Sequence, residues 1–339
     1  MSLFAWIRPP RHVLPLFLAV TLVPAAGLVW LGWRLLHQER ELADQRVQER
    51  RERAADLLVA ALEQKLLATE QDLTESVALQ NAALGDDVLL VAFGPGSVNA
   101  HPKARLLYYP FVPPQKEAAE ELFRRAEDYE FRLRDYAGAI VILRGLARSE
   151  KTAVRAGAWL RIARNLRKAG QFEAALAAYR ELAQLGAVPI SGVPAELLAR
   201  QALCTLLAEL KRSEELKREA EALYADLHGG RWQLGRAVYH VHAQEIRDWI
   251  RVNPATEHEG LTLAAAAEWL WEKWQAISQQ GENRVSGRHS LAIEDRLLTL
   301  LWKGTPERLV GLIAGPRYLE RQWLAGSRSI LEARSVQLS

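Results

Sequence analysis

The chain has 339 residues, which is longer than one typical domain and long enough for two or three folded units. Apolar residues make up 49% and charged residues 25%, a balance that excludes general disorder. The formal net charge is only +3, with basic and acidic residues interleaved, so no nucleic-acid partner is predicted. A single cysteine, Cys204, excludes an intramolecular disulfide, and its apolar surroundings predict a buried side chain in a helix.

The first element is an uncharged apolar segment, "VLPLFLAVTLVPAAGLVWLGW", from Val13 to Trp33. A helix of this length can cross a bilayer, and Trp30 and Trp33 suit the headgroup region. We therefore predict a cytoplasmic tail over residues 1–12 and one transmembrane helix over residues 13–36. A cleaved signal peptide would have a shorter apolar region, so an uncleaved anchor is favoured.

Basic residues on the two sides of this segment give conflicting indications of its orientation. Arg8 and Arg11 precede it, and six arginines follow it within twenty residues, so a literal count favours a cytoplasmic position for the rest of the chain. A short tail with two arginines is, however, also the usual start of a chain whose bulk is exported.

A long polar helix is predicted over residues 37–84, because that segment contains no Gly or Pro. Its inward stripe repeats at three, four and four residues, which fits a nearly straight or slightly right-handed helix pair. The stripe comprises Ala55, Leu58, Leu62, Leu66, Thr69, Leu73, Val77, Gln80 and Leu84. Two alternatives stay open: a homodimer through this helix, or packing of the helix on its own domain.

A change of period predicts a β-hairpin over residues 85–113. Its strands are the apolar runs Val88 to Phe93 and Leu106 to Phe111, which flank a Gly/Pro/Asn-rich loop. No Gly-Lys-Ser/Thr follows the glycines of that loop, so the loop is interpreted as a turn and not as a phosphate-binding loop.

Residues 114–228 are predicted to form short amphipathic helices with the spacing of tetratricopeptide (TPR) repeats. The best unit contains Trp159, Ile162, Ala163, Leu166, Ala175 and Tyr179. The pattern recurs 36 residues earlier at Phe123, Ala126, Ala139 and Leu143. A weaker third pair follows over residues 197–227, and three helical pairs are about the minimum for a stable stack.

Peptide-binding members of the TPR family use polar residues on the concave first helices. Arg161, Arg164, Asn165 and Lys168 are the candidates here. No second unit supplies a matching set, so a solvated face is the favoured interpretation of these four side chains.

Residues 229–282 are predicted to form two further helices. Trp269 and Trp271 cannot share one helical face, which indicates a helix buried on more than one side rather than an aromatic binding site. His240 and His242 also point in different directions on a helix, so no metal site is predicted there.

Residues 283–339 are predicted to begin an α/β sensor domain. The segments "RLLTLLWKG" and "TPERLVGLIAGPRYLERQWL" are interpreted as two strands and a short helix around Tyr318 to Leu324, and a last strand follows.

No enzyme motif is present: the sequence lacks a nucleophile elbow, a Walker loop, a His-Glu-x-x-His pair and a cysteine-based metal site. The pair His258 and Glu259 resembles the start of a kinase phosphoacceptor helix. Gly260 follows it, however, and no ATP-binding box comes later, so a charged loop that opens the next helix is favoured. No catalytic residue and no cofactor is predicted.

The order of segments nevertheless resembles the exported sensory region of bacterial membrane-bound histidine kinases. The resemblance covers nearly the whole chain and rests on the anchor, the long helix, "RLLYYPF", "RAGAWLRIARNLRKAG", "GGRWQLGRAVYHVHA" and "LWKGTPERLVGLIAGPRYLERQW". It implies a two-component receptor whose terminal strands begin a PAS-like or Cache-like sheet, before a second span and a kinase core that this chain lacks. This implies a truncated or split gene product, or a sensor-only relative.

The resemblance also implies that the chain after residue 36 lies outside the cytoplasm of a bacterium, on a single-pass inner-membrane anchor. A small-molecule site would need aromatic walls and polar groups, for which Trp302, Arg317, Tyr318 and Trp323 are the candidates. The alternative function is a membrane-tethered repeat scaffold that binds a protein or peptide through Arg161, Arg164, Asn165 and Lys168.

Overall fold

The computed structural model describes residues 30, 31, 33, 52, 56, 59–71, 73, 87–251, 258–280 and 285–323. The chain divides into two compact units, residues 1–66 with 326–339 and residues 67–325. Among the described residues the protein is mainly helical and carries a small antiparallel sheet, which confirms the predicted fold class at that level.

The predicted transmembrane helix, residues 13–36, lies almost wholly outside the described residues. Its described members, Trp30, Leu31 and Trp33, are helical, and their side chains are more than half exposed. In the part of the chain that the structure describes, no helix has both the length and the apolar character needed to cross a membrane.

Much of the predicted juxtamembrane helix, residues 37–84, also lies outside the described residues. Residues 59–71 are helical. Leu73, a member of the predicted stripe, is buried in its own chain, whereas Leu67, which is not in the stripe, is exposed. At Leu73 the structure therefore favours packing of the helix on its own domain.

Five strands form one antiparallel sheet: β1 (Val88–Gly94), β2 (Ser97–His101), β5 (Val285–Ile293), β6 (Arg296–Gly304) and β7 (Leu309–Ala314). Their order across the sheet is β2-β1-β7-β6-β5. The hairpin and the terminal strands, which the sequence predicted as separate domains over residues 85–113 and 283–339, therefore share one sheet. Their sequence separation conceals this pairing, because β1 pairs directly with β7, with Leu90 opposite Leu312.

The predicted hairpin exists, but its second strand was predicted wrongly. β1 pairs with Ser97–His101, across a tight turn at Pro95 and Gly96, and not with the run Leu106 to Phe111. The side chains from Leu106 to Tyr109 are all buried, and the Tyr109 amide donates to the Leu234 carbonyl at 2.8 Å. Their apolar character thus reflects packing on the helical region and not membership of the hairpin.

The long connection between β2 and β5 is helical. It contains α1 (Arg124–Glu127, continued by a π-helical turn, Asp128–Leu133), α2 (Tyr136–Leu146), α3 (Thr152–Lys168), α4 (Phe172–Ala183), α5 (Ala195–Glu209), α6 (Ser213–His228), α7 (Arg236–Ile250) and α8 (His258–Gln280). A two-residue hairpin, β3 (Pro189–Ile190) and β4 (Val193–Pro194), lies between α4 and α5. Each helix from α2 to α7 packs on the next in the chain, as expected of a stack of helical pairs.

The small residues of the best repeat-like unit lie where α3 and α4 pack together. Ala163 and Ala175 are fully buried, and Ile162 and Tyr179 are nearly so. Small side chains let two helices approach closely, which explains the alanines at these positions.

Helix α8 covers one face of the sheet. Trp271 packs edge-on against Phe93 of β1, with ring centroids 5.2 Å apart, and Trp269 stacks on His289 of β5 at 4.7 Å. The two tryptophans therefore point in different directions into the core, as the sequence predicts. Gly311 of β7 lets the helix come close, since a Cβ there would lie 2.3 Å from Cδ2 of Leu270.

The last described element, α9, covers Pro316–Tyr318 and continues as a π-helical turn, Leu319–Trp323. It begins two residues before the helix predicted around Tyr318 to Leu324. The last strand predicted from the sequence lies in residues 324–339, outside the described residues.

Candidate functional site

The four polar residues predicted on α3 all bind inside their own chain. Glu130, in the π-helical turn after α1, receives hydrogen bonds from Arg164 Nε at 2.7 Å, Arg164 NH2 at 2.6 Å, Lys168 Nζ at 2.7 Å and Asn165 Nδ2 at 2.9 Å. We call these four residues the Glu130 cluster. Both oxygens of one carboxylate are thus each bound by two donors from a single helix.

Burial alone would raise the pKa of Glu130, because the charged form loses its hydration. The hydrogen bonds from Arg164 and Lys168 outweigh that effect, and the pKa of this carboxyl is lowered. Glu130 therefore stays ionised although its side chain is only 1% exposed. The cluster holds a buried negative charge among donors whose own side chains are partly exposed.

Arg161, the remaining candidate, makes a parallel contact one turn earlier on α3. Its Nε atom donates to Glu127 at 2.8 Å, and its guanidinium carbon lies 4.0 Å from the centroid of the Phe123 ring. Gly157 makes room for that ring, because a Cβ there would lie 2.6 Å from Phe123 Cζ. Acidic and aromatic residues of the first pair thus pack on a basic face of the second.

The solvated face predicted for these residues is therefore wrong. Asn165 is fully buried, and its Oδ1 atom accepts no hydrogen bond from the described residues. The sequence reasoning missed Glu127 and Glu130. A usable signal was present, since the acids lie 34 to 38 residues before their partners, close to the 36-residue offset between the repeat-like units.

The candidates around the terminal sheet do not form one site. Trp302 lies on β6, is 6% exposed and packs against Trp269 with ring centroids 6.0 Å apart. Its indole N–H is buried and has no acceptor among the described residues. Arg317 lies at the other end of β6, near Arg296. Six residues of strand, or about 20 Å, separate Arg296 from Trp302.

Arg317 and Tyr318 lie at the start of α9. The Arg317 side chain is largely exposed, with NH1 at 3.8 Å from Glu259 of α8, and burial raises the pKa of Tyr318. For Trp323 the structure describes the helical backbone only. The predicted aromatic pocket, with Trp302 beside Arg317, is therefore not assembled.

The same end of the sheet holds a second buried carboxylate, Asp87, which precedes β1. Its side chain pairs with Arg296 of β6 and accepts a hydrogen bond from the Arg317 amide at 3.0 Å, and its carbonyl accepts one from the Gly315 amide at 2.7 Å. Arg296 also donates to the hydroxyl of Thr262 at 3.3 Å. We call Asp87, Arg296, Thr262, Gly315 and Arg317 the Asp87 cluster.

Asp87 has two structural roles in that cluster. It is a carboxylate at the first turn of α9, where free amides and the helix dipole favour negative charge, and it neutralises Arg296, whose side chain is 15% exposed. The residue itself is fully buried. The segment that leads into the sheet is thereby bound to the segment that leaves it.

Three residues could hold a cation together: one ligand atom each from His258, Glu294 and Asp295 lies within 4.8 Å of the others. His258 Nδ1 is 2.9 Å from Glu294 and Nε2 is 2.8 Å from Asp295, and the hydrogen bond from His258 lowers the pKa of Asp295. Because the two ring nitrogens face different carboxylates, this arrangement is that of an ion pair. It fastens the start of α8 to the turn between β5 and β6.

Comparisons with known proteins identify no relative. No protein-family model matches the chain, and neither a curated protein nor a solved structure matches it. The arguments for function therefore rest on the residues and their geometry.

Proposed function

We propose that this chain is the membrane-anchored, extracytoplasmic signal-input region of a two-component sensor histidine kinase and is not itself catalytic. The observation that carries the proposal is the sheet. Counted along the chain, its five strands have the order 2-1-5-4-3, and this antiparallel order resembles that of a PAS-like sensor sheet.

Two further features are consistent with a sensor. The TPR-like helical stack occupies the connection between the second and third strands, where a PAS-like domain carries its helices. The Asp87 cluster binds the segment that enters the sheet to the helix that leaves it. A change at either segment therefore has a short path to the other, as transmission from a sensor requires.

The alternative function, a scaffold that captures a partner through Arg161, Arg164, Asn165 and Lys168, has less support. All four side chains are bound to Glu127 or Glu130, so a partner would have to displace these contacts. Charge reversal at Arg164 and Lys168 with unchanged partner capture in a pull-down would exclude it.

Membrane orientation tests the proposal directly. Alkaline phosphatase, fused after Ser339 of the full chain and expressed in a bacterium, is expected to be active, because it folds only outside the cytoplasm. A green fluorescent protein at the same position should stay dark, whereas the same protein at the amino terminus should fluoresce. The reverse pattern would contradict an extracytoplasmic input region. The coding DNA after the Ser339 codon gives a second test, since the proposal expects a further span and a kinase core there or in an adjacent gene.

Dimerisation through residues 37–84 is part of the same proposal. A Leu66→Cys variant is expected to form a disulfide-linked dimer in membranes under mild oxidation, and Leu67→Cys, on the exposed side, should form less. Cys204 does not interfere, because burial raises the pKa of its thiol to about 12. Equal cross-linking of the two variants would contradict a specific helix pair.

A further inference from the structure

An open cleft of about 520 Å³ lies between α4, α5 and α6, away from both carboxylate clusters. Pockets of about 300–1,000 Å³ with mainly apolar walls and a few polar groups are typical of small-molecule sites. The volume is thus sufficient for a small organic ligand.

The cleft carries an excess of positive charge. Arg180, Arg200 and Arg218 line it, together with Glu215 and Glu219. Glu219 binds Arg200 at 2.6 Å, and Arg200 also pairs with Asp226. Its guanidinium is therefore already neutralised at the base of the cleft, where its side chain is 13% exposed.

The other two arginines have a different environment. Arg180 of α4 and Arg218 of α6 are exposed, and neither forms an ion pair with any of the described residues. Glu215 lies 3.9 Å from Arg212, which gives it a basic neighbour outside the cleft. Two uncommitted guanidinium groups thus flank the cleft from opposite helices.

The wall between them is apolar. Leu203 and Leu207 of α5 line the cleft one helical turn apart and on the same face of the helix. An apolar strip between two guanidinium groups favours a ligand with a charged head and an apolar body, because each part then meets matching chemistry.

We propose that this cleft binds a small organic monoanion, a carboxylate with an aromatic or aliphatic body. Its carboxylate binds Arg180 and Arg218, and its body packs on Leu203 and Leu207. The three arginines and two glutamates of the lining leave one net positive charge, which matches a single carboxylate. The inference holds whether or not the chain is a sensor, since it depends only on the cleft.

The test uses 4-phenylbutyrate as the probe and isothermal titration calorimetry on the full chain in lipid nanodiscs, with empty nanodiscs as the blank. We expect saturable binding at one site. The neutral analogue 4-phenylbutanol and the cationic 4-phenylbutylamine have the same body and should each bind at least about tenfold more weakly. Equal affinity for the alcohol, or no saturable binding of the butyrate, would overturn the proposal.

A double variant, Arg180→Gln with Arg218→Gln, is expected to weaken binding of 4-phenylbutyrate at least about tenfold. The matched control is Arg144→Gln with Arg148→Gln on the first helical pair, which removes the same charge at a distance and should leave the affinity unchanged. Unchanged affinity in the cleft variant, or equal loss in the control, would contradict the proposed site. Failure of this test leaves the orientation experiment unaffected, so the two proposals are distinguishable.

Discussion

Glu130 and Asp87 are both almost completely buried carboxylates bound to arginine, but their partners come from different distances along the chain. The partners of Glu130 lie 34 to 38 residues away, on the next helical pair. Those of Asp87 lie 209 and 230 residues away, at the far end of the sheet. Glu130 thus joins neighbours in a stack, whereas Asp87 joins the two ends of a sheet.

The comparison predicts where each carboxylate matters. Loss of Glu130 should loosen one joint between successive helical pairs, because each pair contacts mainly its neighbours. Loss of Asp87 should affect β1, β6 and α9 at once, because all three meet at its side chain. Four experiments, from the largest expected effect to the smallest, can break or sharpen this contrast.

Replacing Asp87 by Ala should have the largest effect. It leaves the largely buried guanidinium of Arg296 without its partner, and we expect the free energy of unfolding to fall by about 3–5 kcal/mol. Urea denaturation of the full chain, followed by tryptophan fluorescence, measures this. The double variant Asp87→Ala with Arg296→Met removes both charges and should recover part of the loss. A single-variant loss below about 1 kcal/mol would contradict a buried pair.

Replacing Glu130 by Gln should cost about 1.5–3 kcal/mol, because Arg164 and Lys168 then lose a charged acceptor. Hydrogen exchange should accelerate in α1 and α3 and stay unchanged in β1 and β7. The matched control is Glu127→Gln. Glu127 is more exposed and binds Arg161 alone, so about 1 kcal/mol or less is expected. Equal losses in the two variants would remove the distinction.

Replacing Gly311 by Ala should destabilise the sheet by about 1–3 kcal/mol, because the added methyl meets the buried Leu270 side chain of α8. Thermal unfolding followed by circular dichroism measures the change. Gly145→Ala is the control, since a Cβ at that helical position meets nothing within 4 Å. That variant should be stabilised by up to about 1 kcal/mol. Destabilisation by both substitutions would show that α8 packing is not the cause.

The smallest effect concerns pH. Burial lowers the pKa of His242, whose Nδ1 atom bonds to Gln201. The unfolded state therefore binds a proton at a higher pH than the folded state, and stability should fall as the pH drops below about 6.5. Replacing His242 by Gln should flatten this dependence in denaturation curves between pH 7 and pH 5. The exposed neighbour His240, replaced in the same way, should leave it intact.

Glu245 acts in the opposite direction at lower pH. Burial raises the pKa of its carboxyl, so the folded state gains a proton before the unfolded state does, and this contribution increases stability as the pH falls. A slope between pH 7 and pH 5 that persists in His242→Gln would contradict His242 as its source.

Local patterns in the sequence predicted the helical region well. Ala163, Ala175 and Tyr179 lie in the core at repeat-like spacing, and Trp269 and Trp271 point in different directions, as helical periodicity requires. These features depend on residues close in sequence.

Long-range pairing was not predictable in the same way. The run Leu106 to Phe111 is as apolar as a strand, yet it packs on the helical region, and Ser97–His101 pairs instead, although only Val98 and Ala100 are buried there. Nothing in a single sequence indicates that Asp87 meets Arg296, because their contact requires the closure of the whole sheet. The Glu130 cluster lies between these cases, since its partners fall close to the repeat offset.

The pairing of β1 with β7 has a consequence for the helical stack. Every residue between β2 and β5 lies on a side branch, because the shortest path through the protein from Asp87 to Arg317 crosses hydrogen bonds and bypasses the helices. A branch attached in this way can gain or lose a helical pair and still leave the route between the two ends of the sheet intact. The same attachment leaves α4, α5 and α6 free to carry a binding cleft of their own.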